Sequence, residues 1–437
     1  MSELDIGGVF DDRPLSALQL RVILICALLG LLDGYDAQSI GFVAPSIARD
    51  WGLPPASFAL IFAAGTVGSL CGSLPFGMVA DRYGRRRGLI GALAVISASM
   101  TLTALARNPA ELLVCRLLSG VGLGGMLPTL VALTAEYAPK RVRSFAVTAM
   151  FCSFPLGAVI GAIFASATIT PHNWRFVFWL GAAAPALMLP IVIFALPESI
   201  TWLARQGRER ALGRALSRMD LTGTATDGLA LEPAGRRAPF LDAVRQGRGL
   251  TTLSLSVACF ASLSLIYLLV NWLPTFAVQS GATLGQSALS LALLNLSGIV
   301  GGLLIAGTSD RFASSRIVAA SYLIGAFGVC LIPLLISGWV TIFIFAFVAG
   351  FFCIGAQMTL VALASKSYPV ELRSTGVAIV AAAGRLGALA GPLIGGILVG
   401  IPDAGRALGL AVAAAAATAG IAVAVARTRI DKDQKVT

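Results

Sequence analysis

Apolar residues fall along this chain in runs of about 20, the length that spans a hydrocarbon core as a helix, and polar breaks part them. Twelve such runs predict twelve helices, near 21–43, 57–79, 88–106, 110–134, 145–168, 176–196, 250–277, 286–308, 317–337, 339–363, 374–399 and 405–426. The longest break, 198–249, carries nine arginines and a middle containing Thr, Gly, Asp and Pro. The pattern therefore divides into a tail over 1–20, a six-helix bundle over 21–197, a linker over 198–249, a second bundle over 250–426 and a tail over 427–437.

The two halves repeat each other. Asp81-Arg82-Tyr83 recurs as Asp310-Arg311-Phe312 at an offset of 229, and Pro139 with Arg143 recurs as Pro369 with Arg373 at 230. Pro155-Leu156-Gly157-Ala158 maps at 230 onto Arg385-Leu386-Gly387-Ala388. The expected class is an all-α membrane protein of two pseudo-symmetric six-helix bundles. Buried charge breaks the repeat: Asp33 and Asp36 map to Ser262 and Leu265, Arg116 to Phe345, and Arg385 back to Pro155. Groups that the halves do not share are unlike scaffold.

Composition agrees with the pattern: 57% of residues are hydrophobic and 12% charged, where a soluble domain carries about 25% charge. The net charge of +11 would suit nucleic acid if it lay on one patch. Instead 26 of the 32 Lys and Arg lie in the tails, the linker, the loops on the linker's side and, as Arg21, at the very start of the first span. The other six are Arg49, Arg107, Arg175 and Arg406 in the opposite loops and Arg116 and Arg385 within spans. That bias predicts cytoplasmic termini by the positive-inside rule and makes the lipid bilayer, not nucleic acid, the partner. The seven cysteines lie in apolar runs without CxxC spacing, and His172 is the only histidine. No metal, cofactor or disulfide is expected, and no cleavable signal.

Candidate chemistry begins at Asp33-Gly34-Tyr35-Asp36. A charged side chain at bilayer depth costs roughly 2.5–3.5 kcal/mol, so two carboxylates in one span must face protein or water. Their i, i+3 spacing puts them on one helix face, as a proton- or substrate-handling pair or as solvated acids at a membrane–water junction. Arg116 either snorkels to an interface or projects into a cavity, and Arg385, beside small residues, faces a cavity. Asn271, Asn295 and Gln357 are amides at membrane depth, each an interhelical hydrogen bond or a ligand contact. Trp272 and Pro274 add an indole and a helix break.

Gly77-Met78-Val79-Ala80-Asp81-Arg82-Tyr83-Gly84-Arg85-Arg86-Arg87 joins helices 2 and 3, and Glu136 to Arg143, with Tyr368 to Arg373, reads as a helix-end network. This loop resembles the Gly-x-x-x-Asp-Arg-x-Gly-Arg-Arg signature of the major facilitator superfamily, and Pro197-Glu198-Ser199-Ile200-Thr201-Trp202 resembles another of its signatures. The resemblance implies gating roles for Gly77, Asp81, Arg82, Gly84, Arg85, Arg86, Glu136 and Arg143, and for Asp310, Arg311, Glu371 and Arg373 in the second half. That second copy has Ala306, Ala313 and Ser314 where the first has Gly77, Gly84 and Arg85. With Asp33-Gly34-Tyr35-Asp36, the small-residue run Ser119 to Gly125 and Gly384-Arg385-Leu386-Gly387-Ala388, nearly the whole chain resembles the aromatic acid:proton symporter family of that superfamily.

The resemblance implies a monomeric, cofactor-free bacterial inner-membrane transporter, not an enzyme, importing benzoate-, hydroxybenzoate- or phenylpropionate-type acids with protons. The chemistry agrees. An anionic ring needs a planar cationic fork, from Arg385 and Arg116, and aromatic walls, from Tyr35, Phe151 and Trp272. Proton coupling needs a carboxyl group, Asp33 or Asp36, with Asp36 favoured as the deeper of the two. The alternatives are an exporter or other metabolite transporter of the same fold, and a sensory receptor. An exporter's Gly-Pro signature is absent at Phe154-Pro155-Leu156-Gly157, and a sugar facilitator would not need two intramembrane arginines.

Overall fold

The computed structural model describes residues 15–219, 249–311, 314–335, 338–368 and 370–433, with side chains throughout except at 140, 170–172, 310–311, 334–335, 370–371, 373–374 and 427–433. Among the described residues every regular element is helical, and twelve helices are long and apolar enough to cross a membrane. They are α1 (Ala17–Trp51), α2 (Phe58–Tyr83), α3 (Arg85–Leu105), α4 (Pro109–Tyr137), α5 (Lys140–His172) and α6 (Arg175–Ala195), then α7 (Gly249–Gln279), α8 (Leu284–Arg311), α9 (Ser314–Leu335), α10 (Trp339–Lys366), α11 (Val370–Leu398) and α12 (Ala404–Asp433). Two short helices, Ile200–Arg205 and Glu209–Ser217, begin the linker.

Local chemistry sets several ends. The Asn108 side chain accepts from the Glu111 N–H at 2.9 Å, Pro109 opens α4, and Glu111 sits in its first turn, satisfying donors that have no partner in the helix. Ser199 caps the first linker helix in the same way, accepting from the Trp202 N–H at 3.1 Å. Between α2 and α3 the chain turns on Gly84 at φ +110°, a conformation that a side chain rarely adopts. Within α10, Ala349–Ile354 forms a π-helical turn, the kind of widening that often accompanies function.

The duplication is written into the packing. A Cβ on Gly157 of α5 would lie 1.9 Å from the Leu31 carbonyl oxygen of α1, and one on Gly387 of α11 would lie 2.1 Å from that of Phe260 on α7. The same holds for Gly120 of α4 against Gly65 of α2 and for Gly350 of α10 against Leu294 of α8, at 2.1 and 2.2 Å. Both pairs of contacts repeat at offsets of 229–230, and both need a bare backbone so that helices meet without an apolar solvent's help.

By contacts the described residues fall into two compact units. The first takes its residues from Met1–Ala37, Ala64–Ala158 and Phe178–Ala234, and the second from Gln38–Ala63, Val159–Val177 and Gly235–Thr437. The second unit thus includes the ends of α1, α2 and α5 remote from the linker. There Gly41 of α1 meets the Val270 carbonyl of α7, and Gly396 of α11 meets Ala59 of α2.

Candidate functional site

Within the first unit, α1, α3, α4 and the start of α6 enclose a charged cluster. Asp36 is 1% exposed and Arg116 4%, and a guanidinium nitrogen lies 3.2 Å from Asp36 Oδ1. Ser119, one turn beyond Arg116, donates its hydroxyl to Asp36 Oδ2. The guanidinium also donates to Thr103 Oγ1 at 3.1 Å, contacts Met100 Sδ at 3.3 Å, and lies 5.2 Å from the Phe178 ring centroid. Two donors on the anion and a shell of soft and aromatic groups on the cation are what a buried ion pair needs to hold in low dielectric.

Asp33 stands apart from this. It is 4% exposed, one helical turn from Asp36, and among the described residues no hydrogen bond or ion pair reaches its carboxyl group. Tyr35 is buried, its ring against Gly181 of α6. Phe151 of α5 is exposed.

The second unit places the remaining candidates in different settings. Trp272 is fully buried, donates its indole N–H to the Pro392 carbonyl at 2.9 Å, and meets Phe62 edge-on. Asn271 donates to the Tyr267 carbonyl at 2.7 Å. Asn295 and Gln38 exchange two amide hydrogen bonds of 2.8 and 3.0 Å, joining α8 to the end of α1. Gln357, half-buried on α10, accepts from the Tyr322 hydroxyl at 3.3 Å, which itself lies 2.7 Å from Ser262 Oγ. Arg385 is exposed, with no ion pair among the described residues. Eleven residues, close to three turns, separate it from Gly396, so it lies on the α11 face that borders α2 at Ala59.

The loop signature assembles a network on the linker side of the first unit. Arg85 pairs with Glu136 at the end of α4, and Glu136 also accepts from the hydroxyls of Ser199, at 2.7 Å, and Thr201. Glu198 accepts from the Arg86 and Ser199 N–H groups at 3.0 Å each. Trp202 donates to the Asp81 carbonyl at 3.0 Å, and Tyr137 to the Glu198 carbonyl at 2.7 Å. Gly84 is needed twice over, since its Cβ would lie 2.2 Å from the Glu198 carboxylate. Arg82 lies over the Tyr83 ring, and Arg143 donates to the Ala138 carbonyl at 3.3 Å. Gly77 has open space around it. The side chains of Asp310, Arg311, Glu371 and Arg373 lie outside the described residues.

Several participants carry no mark in the sequence: Thr103, Met100 and Phe178 around Arg116, Gln38 opposite Asn295, and Tyr322 beside Gln357, while Ser119 is marked only as part of a small-residue run. A hydroxyl or thioether inside an apolar run gives no sign of the partner that folding brings to it. Among the described residues no group of three or more His, Cys, Asp or Glu is placed to hold a metal.

A family profile described as Major Facilitator Superfamily matches residues 26–325 and 298–437. A gallate transporter of Pseudomonas putida is 36% identical over 93% of this chain and 92% of its own length. The 4-hydroxybenzoate transporter PcaK of Acinetobacter baylyi is 34% identical over 91% and 89%, and a 3-(3-hydroxy-phenyl)propionate transporter of Escherichia coli 36% over 86% of each. The chain belongs to the aromatic acid:proton symporter family of the major facilitator superfamily. It is a transporter and not an enzyme. The fold agrees: the inward open xylose transporter XylE of E. coli superposes with a TM-score of 0.72 at 20% identity, over 93% of this chain and 95% of that one. A bacterial homologue of the lysosomal transporter Spinster superposes at 0.69 with 18% identity, over 96% and 98%. A multi-pass membrane transporter of this family is thus the frame in which its buried ion pair acts.

Proposed function

We propose that this transporter imports an aromatic carboxylate of benzoate, hydroxybenzoate or phenylpropionate type together with protons, by alternating access across a bacterial inner membrane. The observation that carries the reading is the contrast between two acids one turn apart. Asp36 is held by Arg116 and Ser119, whereas Asp33 is also buried and has no such partner among the described residues. Proton coupling needs a carboxyl group that gains and loses a proton as its surroundings alternate between water and protein, and Asp33 is the group free to do so. Asp36 answers to Arg116, so a change at either residue is felt by the other.

Two arginines are the substrate-carboxylate groups of this reading: Arg385, exposed and without an ion pair among the described residues, and Arg116 when it exchanges Asp36 for substrate. An arginine offers a planar two-donor fork that lysine lacks. Tyr35, Phe151 and Trp272 serve as aromatic surfaces, and Asn271, Asn295 and Gln357 as polar contacts, in states of the cycle that expose them. Gly77, Asp81, Arg82, Gly84, Arg85, Arg86, Glu136 and Arg143, with Asp310, Arg311, Glu371 and Arg373 of the second half, gate the linker side. The protein works as a monomer with both termini cytoplasmic, so a reporter fused after about residue 220 is active on the cytoplasmic side only.

Uptake of radiolabelled aromatic acids into proteoliposomes, with and without a protonophore, tests the reading. The protonophore is expected to abolish accumulation. Asp33→Asn is expected to lose proton-driven accumulation while keeping substrate counterflow, because a permanently neutral side chain binds substrate but carries no proton. Accumulation by Asp33→Asn with the wild-type pH dependence would remove Asp33 from the coupling step.

A further inference from the structure

The second unit holds a buried polar cluster that the proton and carboxylate chemistry does not use. Ser262 of α7 and Tyr322 of α9 are both fully buried, their oxygens 2.7 Å apart. Tyr322 also donates to Gln357 Oε1 at 3.3 Å. The Gln357 amide nitrogen has two N–H donors, yet its one partner among the described residues is the Cys259 thiol at 3.9 Å, a weak acceptor at long range. An amide whose carbonyl is fixed and whose nitrogen is poorly satisfied has its donors ready for something else. Gln357 is half-buried and stands three residues past the π-helical turn of α10.

Position adds a second argument. Cys259, beside the Gln357 amide, is also the residue that Gly384 of α11 packs against, a Cβ there lying 2.6 Å from its Sγ. Arg385 is the next residue. The neutral cluster therefore borders the turn of α7 that packs against the residue next to Arg385. Ser262 occupies the repeat position of Asp33, so this half offers hydroxyl and amide groups where the other half offers acids.

We propose that Gln357, oriented by Tyr322 and Ser262, is the specificity-determining group for polar substituents on the substrate ring. It donates an amide N–H to a ring hydroxyl while Tyr322 holds its carbonyl. This rests on the transport reading above, and it names which aromatic acids are preferred: ring-hydroxylated ones over unsubstituted ones. A site built to hydrogen-bond a hydroxyl rejects the analogue without it strongly, because its own buried polar groups are left unpaired.

The experiment measures kcat/KM for 4-hydroxybenzoate, 3-hydroxybenzoate and benzoate in proteoliposomes, for the unaltered protein and for Gln357→Leu, Tyr322→Phe and Ser262→Ala. The ratio of the better hydroxylated acid to benzoate is expected to fall about tenfold or more in Gln357→Leu and by a smaller factor in Tyr322→Phe, at matched protein in the membrane. A structural role alone lowers all three acids by one factor and leaves the ratio where it was. That result, or a ratio unmoved with all rates intact, overturns the proposal. Should Tyr322→Phe fail to fold, Ser262→Ala and Gln357→Leu decide the matter by the same ratio. Uptake by the unaltered protein of none of the three, nor of 3-phenylpropionate and its ring-hydroxylated form, would overturn the transport reading and this proposal together, whereas an unshifted ratio with uptake intact overturns the proposal alone.

Discussion

The first bundle ties α1 to α3 and α4 through Asp36, Arg116, Ser119 and Thr103, while the second ties α7 to α9 and α10 through Ser262, Tyr322 and Gln357. The scaffold beneath is one scaffold repeated, since Gly157 and Gly387, like Gly120 and Gly350, make the same close approaches at a constant offset. In its buried clusters one half carries full charges and the other neutral groups, Arg385 being an exposed charge of the second half. Charged pairs have two arrangements, intact and exchanged, that a proton or an anionic substrate can select between. Hydroxyls and amides keep one protonation state across the physiological range, so they suit recognition of shape and hydrogen-bonding pattern. Duplication followed by division of labour accounts for why the buried charges are the positions at which the repeat fails.

The largest effect is expected from breaking the charged side. Arg116→Ala leaves Asp36 buried without its cation, and removing one partner of a buried pair costs about 3–5 kcal/mol. Melting of the purified protein should fall accordingly and uptake should vanish. The double variant Arg116→Gln with Asp36→Asn removes both charges, so its melting should recover much of the loss while uptake stays absent. An Arg116→Ala protein that melts like the wild type would show that the pair does not hold α1 to α4, and the contrast between the halves would collapse.

The converse change puts an acid where the repeat has none. Ser262→Asp puts a carboxylate beside Tyr322, where the described partners are a hydroxyl and an amide and not a guanidinium, at a cost of roughly 2.5–3.5 kcal/mol for a charge at this depth. Lower melting, together with loss of transport, is the expected outcome. Wild-type stability for Ser262→Asp would mean that the two interiors are interchangeable, and that the asymmetry is accidental.

How much of this the sequence discloses follows from how far each signal reaches. Span length and polar breaks are local, so the twelve helices are legible, and the repeat is legible because Asp81-Arg82 and Asp310-Arg311 sit at a fixed offset. Asp33 and Asp36 draw notice because a charge in an apolar run is costly wherever it points. What the charge meets is another matter. Arg116 is 80 residues from Asp36, and the choice between snorkelling and an inward path is made by Thr103 and Phe178, which look like ordinary span residues. Trp272 reads as a wall and is placed against Phe62 and Pro392 inside the second unit. The partners of Tyr322 and the π-helical turn before Gln357 leave no trace at all, since Ser262 and Gln357 lie 60 and 35 residues from that tyrosine.

A smaller effect is expected at the linker side, where the halves also differ in sequence: Gly84 and Arg85 correspond to Ala313 and Ser314. Gly84→Ala requires a residue with a side chain at φ +110° and a Cβ 2.2 Å from the Glu198 carboxylate. Strain of this kind costs on the order of 1–3 kcal/mol, and relief would come by displacing Glu198 from the Arg86 and Ser199 N–H groups. Melting should fall by a few degrees, and transport should slow at unchanged substrate affinity, since Glu198 lies in the gating network and not among the substrate groups. Lowered affinity with an unchanged rate would place the loop's influence elsewhere.

The smallest expected effect is the most direct measure of how the charged cluster is tuned. Thr103 Oγ1 donates to the Ser99 carbonyl at 2.7 Å and accepts from the Arg116 guanidinium at 3.1 Å, so one hydroxyl fixes the cation to α3. Thr103→Val keeps the shape and removes the oxygen, while Arg116 keeps Asp36, Met100 and the Phe178 face. The loss is that of one hydrogen bond, about 1 kcal/mol, which corresponds to roughly a fivefold change in an equilibrium. Uptake should drop by about that factor, and Thr103→Ser, which restores the oxygen, should regain most of it. The repeat supplies the control. Thr103 corresponds to Ile332 in the second bundle, where Phe345 stands in place of Arg116 and no guanidinium waits for a hydroxyl. Ile332→Thr should therefore give a modest loss of stability from poorer packing and no change in transport beyond it. If Thr103→Val transports as the wild type does, the Thr103 hydroxyl takes no part in orienting Arg116 for transport. If instead Thr103→Val is as inactive as Arg116→Ala, the orientation of the guanidinium, and not the charge alone, governs exchange between Asp36 and substrate.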